Sequence, residues 1–285
     1  MSAVVNRLSF DVEDWFQVEN LKSAIRRDQW SSLPLRVERS TNEILELLSQ
    51  ARTTATFFFL GWVAERCPAL VKAVHEAGHE VASHGYGHDL IYDISPAAYR
   101  EDARRAKGIL EDLTGAPVIG YRAPSFTIVE STTWALDVLR EEGFVYDSSV
   151  FPLSWHDRYG FARCGTVPFK WNNGLIEIPI AVARVGTWSL PVGGGGYFRL
   201  LPYLYFKQLL SRINRGDESF TFYLHPWEFD TEQPRVKVRP MHRFRHYVNL
   251  DQTAKRLRRI LGDFRFEPIA SYVATRETPY PTRSA

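Results

Sequence analysis

The stretch EVASHGYGHD sets His84 and His88 four positions apart directly after a short apolar run, with Gly85 and Gly87 between them. Imidazole is a common ligand for divalent metals, and the glycines let a backbone fold tightly enough for both rings to converge. The competing reading is a pair of ordinary surface histidines in a glycine-containing loop. A second concentration of polar chemistry, FDVED, places Asp11, Glu13 and Asp14 just ahead of Trp15 and Phe16. Carboxylates held this closely repel one another, and a cation relieves the repulsion. Alone, the same residues would read as an acidic turn capping the next segment. One of these carboxylates together with both histidines would make a three-ligand site with open positions for water, the arrangement of a catalytic rather than a closed structural zinc.

Three further residues stand at the ends of apolar runs. Arg122, in YRAPSF, is placed either to orient a catalytic carboxylate or to form a plain surface ion pair. His225, in FTFYLHPWEF, is a candidate general acid if it faces a metal and a core histidine if it does not. Asp147, in YDSS, is weaker, because an aspartate there also serves to turn the chain.

The elements that must position these residues alternate along the chain. RLSFDVE reads as a buried strand and VERSTNEILELLSQA as a helix with Ile44, Leu45, Leu47 and Leu48 on one stripe. TATFFFLG is a second strand, and WVAERCPALVKAVHEAG reads as one helix closed by Gly78. HEVAS is a third strand, after which Ser95 and Pro96 supply an N-cap and first turn for PAAYREDARRAKGILEDLTG. PVIGYRAP, STTWALDVLREEG and FVYDSS continue as strand, helix and strand. Later segments repeat the pattern: helix PYLYFKQLLSRI, strand ESFTFYLH, helix DQTAKRLRRILG and strand FRFEP. This alternation predicts an α/β fold with a largely parallel sheet, either an open doubly wound sheet or a barrel, and sites in such sheets form at the carboxyl ends of strands. The polar clusters all fall at those ends.

The 285 residues are read as one domain over 1–275, with an irregular insertion around 150–200 and a tail, 276–285, whose two prolines and low apolar content predict fraying. Within the insertion, PVGGGGYFR reads as a flexible turn; its four glycines lack the following Lys-Ser/Thr of a phosphate loop, so nucleotide binding is not expected. The formal charge of +2 gives no pull toward nucleic acid or an anionic membrane. Cys67 and Cys164 are too few for a disulfide framework. The first residues do not form a signal peptide and no run is long and apolar enough to span a bilayer, so the expected location is cytoplasmic, at the inner membrane face if the substrate is lipid-linked.

In order along the chain, SFDVED, GHEVASHGYGH, YRAPSF, YDSS and LHPWEF resemble the motifs of the NodB-type polysaccharide deacetylases, the carbohydrate esterase 4 superfamily. The longer phrases VGGGGYFR, LHPWEFD and RFRHYVNL resemble the branch linked to exosortase and exopolysaccharide loci. What the resemblance implies is a distorted (β/α) barrel that holds one divalent metal, usually zinc, and hydrolyses N-acetyl groups from the amino sugars of a polysaccharide or its precursor. By the same resemblance Asp11 matches the base, His84 and His88 the metal histidines, Arg122 the arginine that steadies the base and His225 the acid, with Asp147 orienting His225. The sequence departs from the family's adjacent aspartates: Val12 follows Asp11, so the second carboxylate is Glu13 or Asp14. Side chains alternate along an extended chain, which puts Glu13 on the face of Asp11, while a turn after the strand would bring Asp14 round instead. This variant resembles a subgroup that includes allantoinase-like members, so a cyclic-amide hydrolase and an inactive carbohydrate-binding protein stand as alternatives. Trp155, Trp171, Trp188 and Tyr197 are candidates to stack on sugar rings or to fill the core.

Overall fold

The first strand, β1 (Val5–Val12), is buried almost throughout and is paired on both sides in the main sheet. A computed structural model describes residues 4–153, 160–161, 164–186, 188–216, 218–276 and 279–284. The strands that follow are β2 (Thr56–Phe59), β3 (Glu80–Ser83), β4 (Gly120–Tyr121), β5 (Tyr146–Asp147), β6 (Phe169–Trp171), β7 (Ile176–Glu177), β8 (Val182–Val185), β9 (Trp188–Pro191), β10 (Thr221–Leu224), β11 (Arg265–Glu267) and β12 (Thr282–Arg283). Across the sheet the order is β10, β1, β2, β3, β4, β5, β7, β6, β12, with β11 paired to the start of β1. Every pairing in this sheet is parallel except β6 with β7. Beyond β7 the chain crosses back to β10, where Ala181 N–H donates to Thr221 O (3.1 Å) and Tyr223 N–H to Gly193 O (2.7 Å). The sheet therefore curls into a distorted barrel, as the family resemblance implies, and not into the open doubly wound sheet that the alternation also allowed.

Helices cover the outside: α1 (Val37–Gln50), α2 (Gly61–Arg66), α3 (Pro68–Glu76), α4 (Pro96–Thr114), α5 (Trp134–Glu141), α6 (Gly195–Leu200), α7 (Tyr203–Arg215), α8 (Pro240–Tyr247), α9 (Thr253–Asp263) and α10 (Ile269–Thr275). Because both faces of a parallel sheet are buried, its strands read as unbroken apolar runs. In β2 all of Phe57, Phe58 and Phe59 have no exposed surface, each adding roughly 1.5–3 kcal/mol on burial. No helix among the described residues is long and apolar enough to cross a membrane.

Four local expectations are revised. The single helix read over 62–78 is two, because Pro68 has no N–H to donate and pushes Cys67 out of the helical region, to φ −125° and ψ 55°. The tail is not frayed where it meets the sheet, since Lys170 N–H donates to Pro281 O (2.9 Å) and Asn172 N–H to Arg283 O (3.0 Å). The segment between the strand ESFTFYLH and the helix DQTAKRLRRILG, to which the periodicity assigns no element, contains α8, a helix hidden from that pattern because His246 is its one buried residue. Finally, the glycine run is a close-packed seam rather than a flexible turn. A Cβ on Gly193 would lie 2.4 Å from Ile180 Cγ2, and one on Gly195 would lie 2.0 Å from Glu228 Oε2.

Candidate active site

The carboxyl ends of β1, β3, β4 and β10 converge on one open cleft of ≈ 130 Å³ whose lining includes Asp11, Glu13, His84, His88, Ser125, Phe126, Tyr223, His225 and Trp227. Parallel pairing fixes this convergence. Asp11 pairs with Phe58 across β1 and β2, and Ser83, just before His84, pairs with Tyr121, just before Arg122.

Glu13, His84 and His88 are all buried, and each offers one ligand atom such that the three atoms lie within 4.8 Å of one another. His84 Nδ1 sits 2.7 Å from Arg122 O. That bond makes Nδ1 the donor and leaves Nε2 with its lone pair toward Glu13 Oε1, 3.8 Å away. Ligating histidines are commonly fixed in this way by a carbonyl behind them. His88 Nε2 is 3.6 Å from Glu13 Oε2. Reaching this position requires left-handed backbone at His88 (φ 57°) and at Gly85 (φ 71°), the latter being where the glycine is needed. Asp102 holds the loop in that shape by accepting from Tyr86 N–H (2.8 Å) and Gly87 N–H (3.0 Å).

Burial alone would raise the Glu13 carboxyl, but the adjacent His88, His84 and His225 outweigh it and hold Glu13 well below the usual carboxylate range. Its Oε2 is nevertheless buried with no hydrogen-bond partner among the described residues. A buried carboxylate oxygen with no donor is costly. Here a cation between Glu13 and the two histidines would satisfy it, so the residues present fit a divalent metal.

Asp11 is 1% exposed. Its Oδ1 accepts from Arg122 Nη1 (2.7 Å), while Oδ2 faces the cleft 3.9 Å from His225 Nε2. Arg122, with no exposed surface, commits four of its five N–H groups: beside the bond to Asp11, Nη1 donates to Ser9 Oγ (2.8 Å), Nε to Ser148 O (3.0 Å) and Nη2 to Ser148 Oγ (2.9 Å). It is a clamp on Asp11 and not a surface ion pair. On the opposite wall, His225 Nε2 lies 3.4 Å from Glu13 Oε1. Burial pushes the His225 pKa down, but Glu228, Glu13 and Asp11 more than reverse this and hold it at about 9, so the ring is protonated near neutrality.

Two sequence assignments are corrected. Asp14 is turned away from the cluster: Oδ1 accepts from Trp15 N–H (2.8 Å), and Oδ2 from Arg36 N–H (2.7 Å) and Val37 N–H (3.0 Å), so it caps the start of α1. The alternation along β1 that put Glu13 on the face of Asp11 carries over into the turn. Asp147 does not orient His225. It accepts from Ser149 Oγ (2.5 Å) and pairs with Glu177 beneath the site, where burial pushes Asp147 up to about 6 and Glu177 well above the carboxylate range. The residue on His225 Nδ1 is Glu228, at 2.8 Å.

The aromatic candidates for sugar stacking are not cleft residues. Trp171 is buried, with its Nε1 donating to Glu177 Oε2 (3.3 Å); Trp188 is exposed on β9, Tyr197 packs against the core, and Trp155 lies outside the described residues. The aromatic walls of the cleft are instead Phe126, Tyr223 and Trp227. Ser125 (φ 52°) and Phe126 (φ 56°) hold consecutive left-handed conformations there, strain of the kind that collects at functional sites. Sequence reasoning passed over Ser9, Ser148 and Glu228. The only available signal for Glu228 was its place three residues after His225, one turn away.

Fold and site together define a class: a curled parallel α/β barrel whose strand ends gather histidines and carboxylates into one cleft. Residues 28–145 match the family model described as polysaccharide deacetylase, and residues 148–274 match one described as a domain of unknown function, DUF3473. The peptidoglycan-N-acetylglucosamine deacetylase of Bacillus cereus is 34% identical over 116 residues, 40% of this chain and 41% of that protein. A chitooligosaccharide deacetylase of Rhizobium leguminosarum bv. trifolii is 29% identical over 149 residues, 52% of this chain and 62% of that protein. The chain thus spans less than two thirds of these relatives. A Mycobacterium smegmatis crystal structure assigned to the polysaccharide deacetylases superimposes with a TM-score of 0.62 at 18% identity, covering 97% of this chain and 92% of that one, and shares the fold. Residues 28–145 thus match the polysaccharide deacetylase family model, and the chain shares its fold with a solved structure assigned to that family.

Proposed function

We propose that the protein is a metal-dependent hydrolase that removes N-acetyl groups from amino sugars of a polysaccharide or of its biosynthetic intermediate. The observation that carries this reading is the Glu13, His84 and His88 cluster, flanked on one side by Asp11 in the grip of Arg122 and on the other by His225. A divalent ion held by Glu13, His84 and His88 would supply Lewis acidity to the acetamide carbonyl and to the attacking water. Asp11 Oδ2 is the open carboxylate oxygen and takes the proton from that water, while Arg122 holds Asp11 in place. His225 Nε2 donates a proton to the nitrogen as the C–N bond breaks, releasing acetate and a free amine. Phe126, Tyr223 and Trp227 shape an amphipathic mouth suited to a sugar bearing an acetamido group.

The relatives named for peptidoglycan and chitooligosaccharide support an N-acetylated amino-sugar oligomer or polymer as partner. We place the role in exopolysaccharide biosynthesis. Cys67 and Cys164 are buried and unpaired, which suits a reducing compartment; inside the cell the substrate would be a precursor, lipid-linked at the inner membrane face or carried on a nucleotide.

The test is acetate release from N-acetylglucosamine oligomers by zinc-loaded protein, with and without chelator. Release that stops on chelation and returns with zinc is expected. Turnover of a cyclic ureide in place of the oligomers would replace this reading with a cyclic-amide hydrolase, and oligomer binding without any hydrolysis would leave a carbohydrate-binding protein.

A further inference from the structure

We propose that Glu228, clamped by Arg199 against Gly195, is the positioning residue that aims His225 into the cleft. The proposal deepens the reading of His225 as proton donor and rests on it. It also gives a task to Arg199, which lies with His225 in the part of the chain matched by DUF3473.

The geometry is a two-sided carboxylate. Glu228 is 1% exposed. Its Oε1 takes both the Nδ1–H (2.8 Å) and the backbone N–H (3.1 Å) of His225, so ring and backbone of the same residue are tied to one atom. Its Oε2 accepts from Arg199 Nε at 2.7 Å. Arg199, also 1% exposed, spends its other N–H groups on the carbonyls of Arg245 (3.1 Å), His246 (3.2 Å) and Val248 at the end of α8. The guanidinium is thereby fixed before it meets Glu228, and the carboxylate is fixed before it meets His225. Gly195 supplies the room, since a Cβ there would sit 2.0 Å from Oε2 and 2.2 Å from Oε1. Trp227 completes the mount. Its ring stacks on His225 (5.2 Å, 27° between planes) and, on its other contact, on buried His246 (4.3 Å, 14°). With Nδ1 committed to Glu228, the remaining ring nitrogen is the one directed at Glu13 and Asp11. The glycine run, LHPWEF and RFRHYVNL, scattered in sequence, are one device in space.

A donor that must protonate a poor amine leaving group matters little when the leaving group departs unaided. Two substrates therefore separate positioning of the acid from general damage: an N-acetylglucosamine oligomer and an aryl acetate with an acidic phenol. Glu228→Gln is expected to lower kcat on the oligomer about 10²-fold with KM little changed, and on the aryl acetate by less than about 3-fold. Because that change leaves Arg199 unpaired in the interior, the double variant Arg199→Met/Glu228→Gln is measured beside it, with the same split expected. Equal losses on both substrates, or no loss on either, would overturn the proposal.

Proton NMR of histidine-labelled protein gives a readout that needs no turnover. The wild type should show a slowly exchanging, downfield Nδ1 proton on His225 that moves upfield in both variants, where a neutral amide is the weaker acceptor; a wild type without it would also overturn the proposal. If zinc-loaded wild type hydrolyses neither substrate, the deacetylase reading fails, and the NMR result still decides whether Glu228 positions His225.

Discussion

Glu13→Gln and His84→Ala are each expected to remove the bound metal and to lower acetate release about 10³-fold or more, the several kcal/mol of transition-state stabilisation that such an ion supplies. The structure makes these losses specific. Glu13 is the only carboxylate among the described residues grouped with both histidines, and its Oε2 has no other partner to fall back on. Glutamine keeps the volume but brings an amide where a charge is needed. Asp14→Asn is the control that distinguishes the two carboxylates of FDVED. It weakens the acceptor shared by Arg36 and Val37 at the start of α1 and is expected to cost about 0.5–2 kcal/mol of stability, with metal content unchanged. Thermal melts and elemental analysis on the same preparations separate these outcomes. Metal retained by Glu13→Gln and lost by Asp14→Asn would reverse the assignment.

Asp11→Asn is expected to keep the metal and to lose about 10³-fold in kcat, within the range for a positioned general base. The fold should survive the change, because asparagine still offers an oxygen to Arg122 Nη1 and because Ser9 and Ser148 hold the other guanidinium bonds. Melting temperature and metal content verify that point before kinetics are read. An Asp11→Asn variant with near-wild-type turnover would remove Asp11 from the role of base, whatever its bond to Arg122.

The parts of this molecule legible in the sequence are those written in periodicity. The alternation of apolar strands and amphipathic helices, and the polar residues at strand ends, follow from rules that act over a few residues. For the same reason Asp11, Glu13, His84, Arg122 and His225 are legible, each at the end of an apolar run, with His88 four residues beyond His84 in a glycine-containing loop, and parallel pairing then carries run-ends to one side of the sheet. Glu228 and Arg199 were not legible, since their meeting depends on Gly195 and on carbonyls at the end of α8, a helix with almost no apolar face. Asp147 was given the wrong partner for a related reason. Its position at a strand end is that of a site residue, but its side chain is taken by Ser149, two residues on, and by Glu177, a contact set by strand order and not by spacing. The glycine run and the tail were misjudged from composition. Glycine signals close approach as well as freedom, and two proline-flanked residues are enough for a strand when an open edge such as that of β6 is within reach.

The central claim is that Glu13, His84 and His88 hold one catalytic metal ion. Its most direct test is elemental analysis of wild-type protein and Glu13→Gln, stripped with chelator, reloaded with zinc and freed of excess ion. About one zinc per wild-type chain and little or none in the variant is the expected result. A wild-type chain that takes up no divalent metal, or a variant that takes up as much, would contradict it.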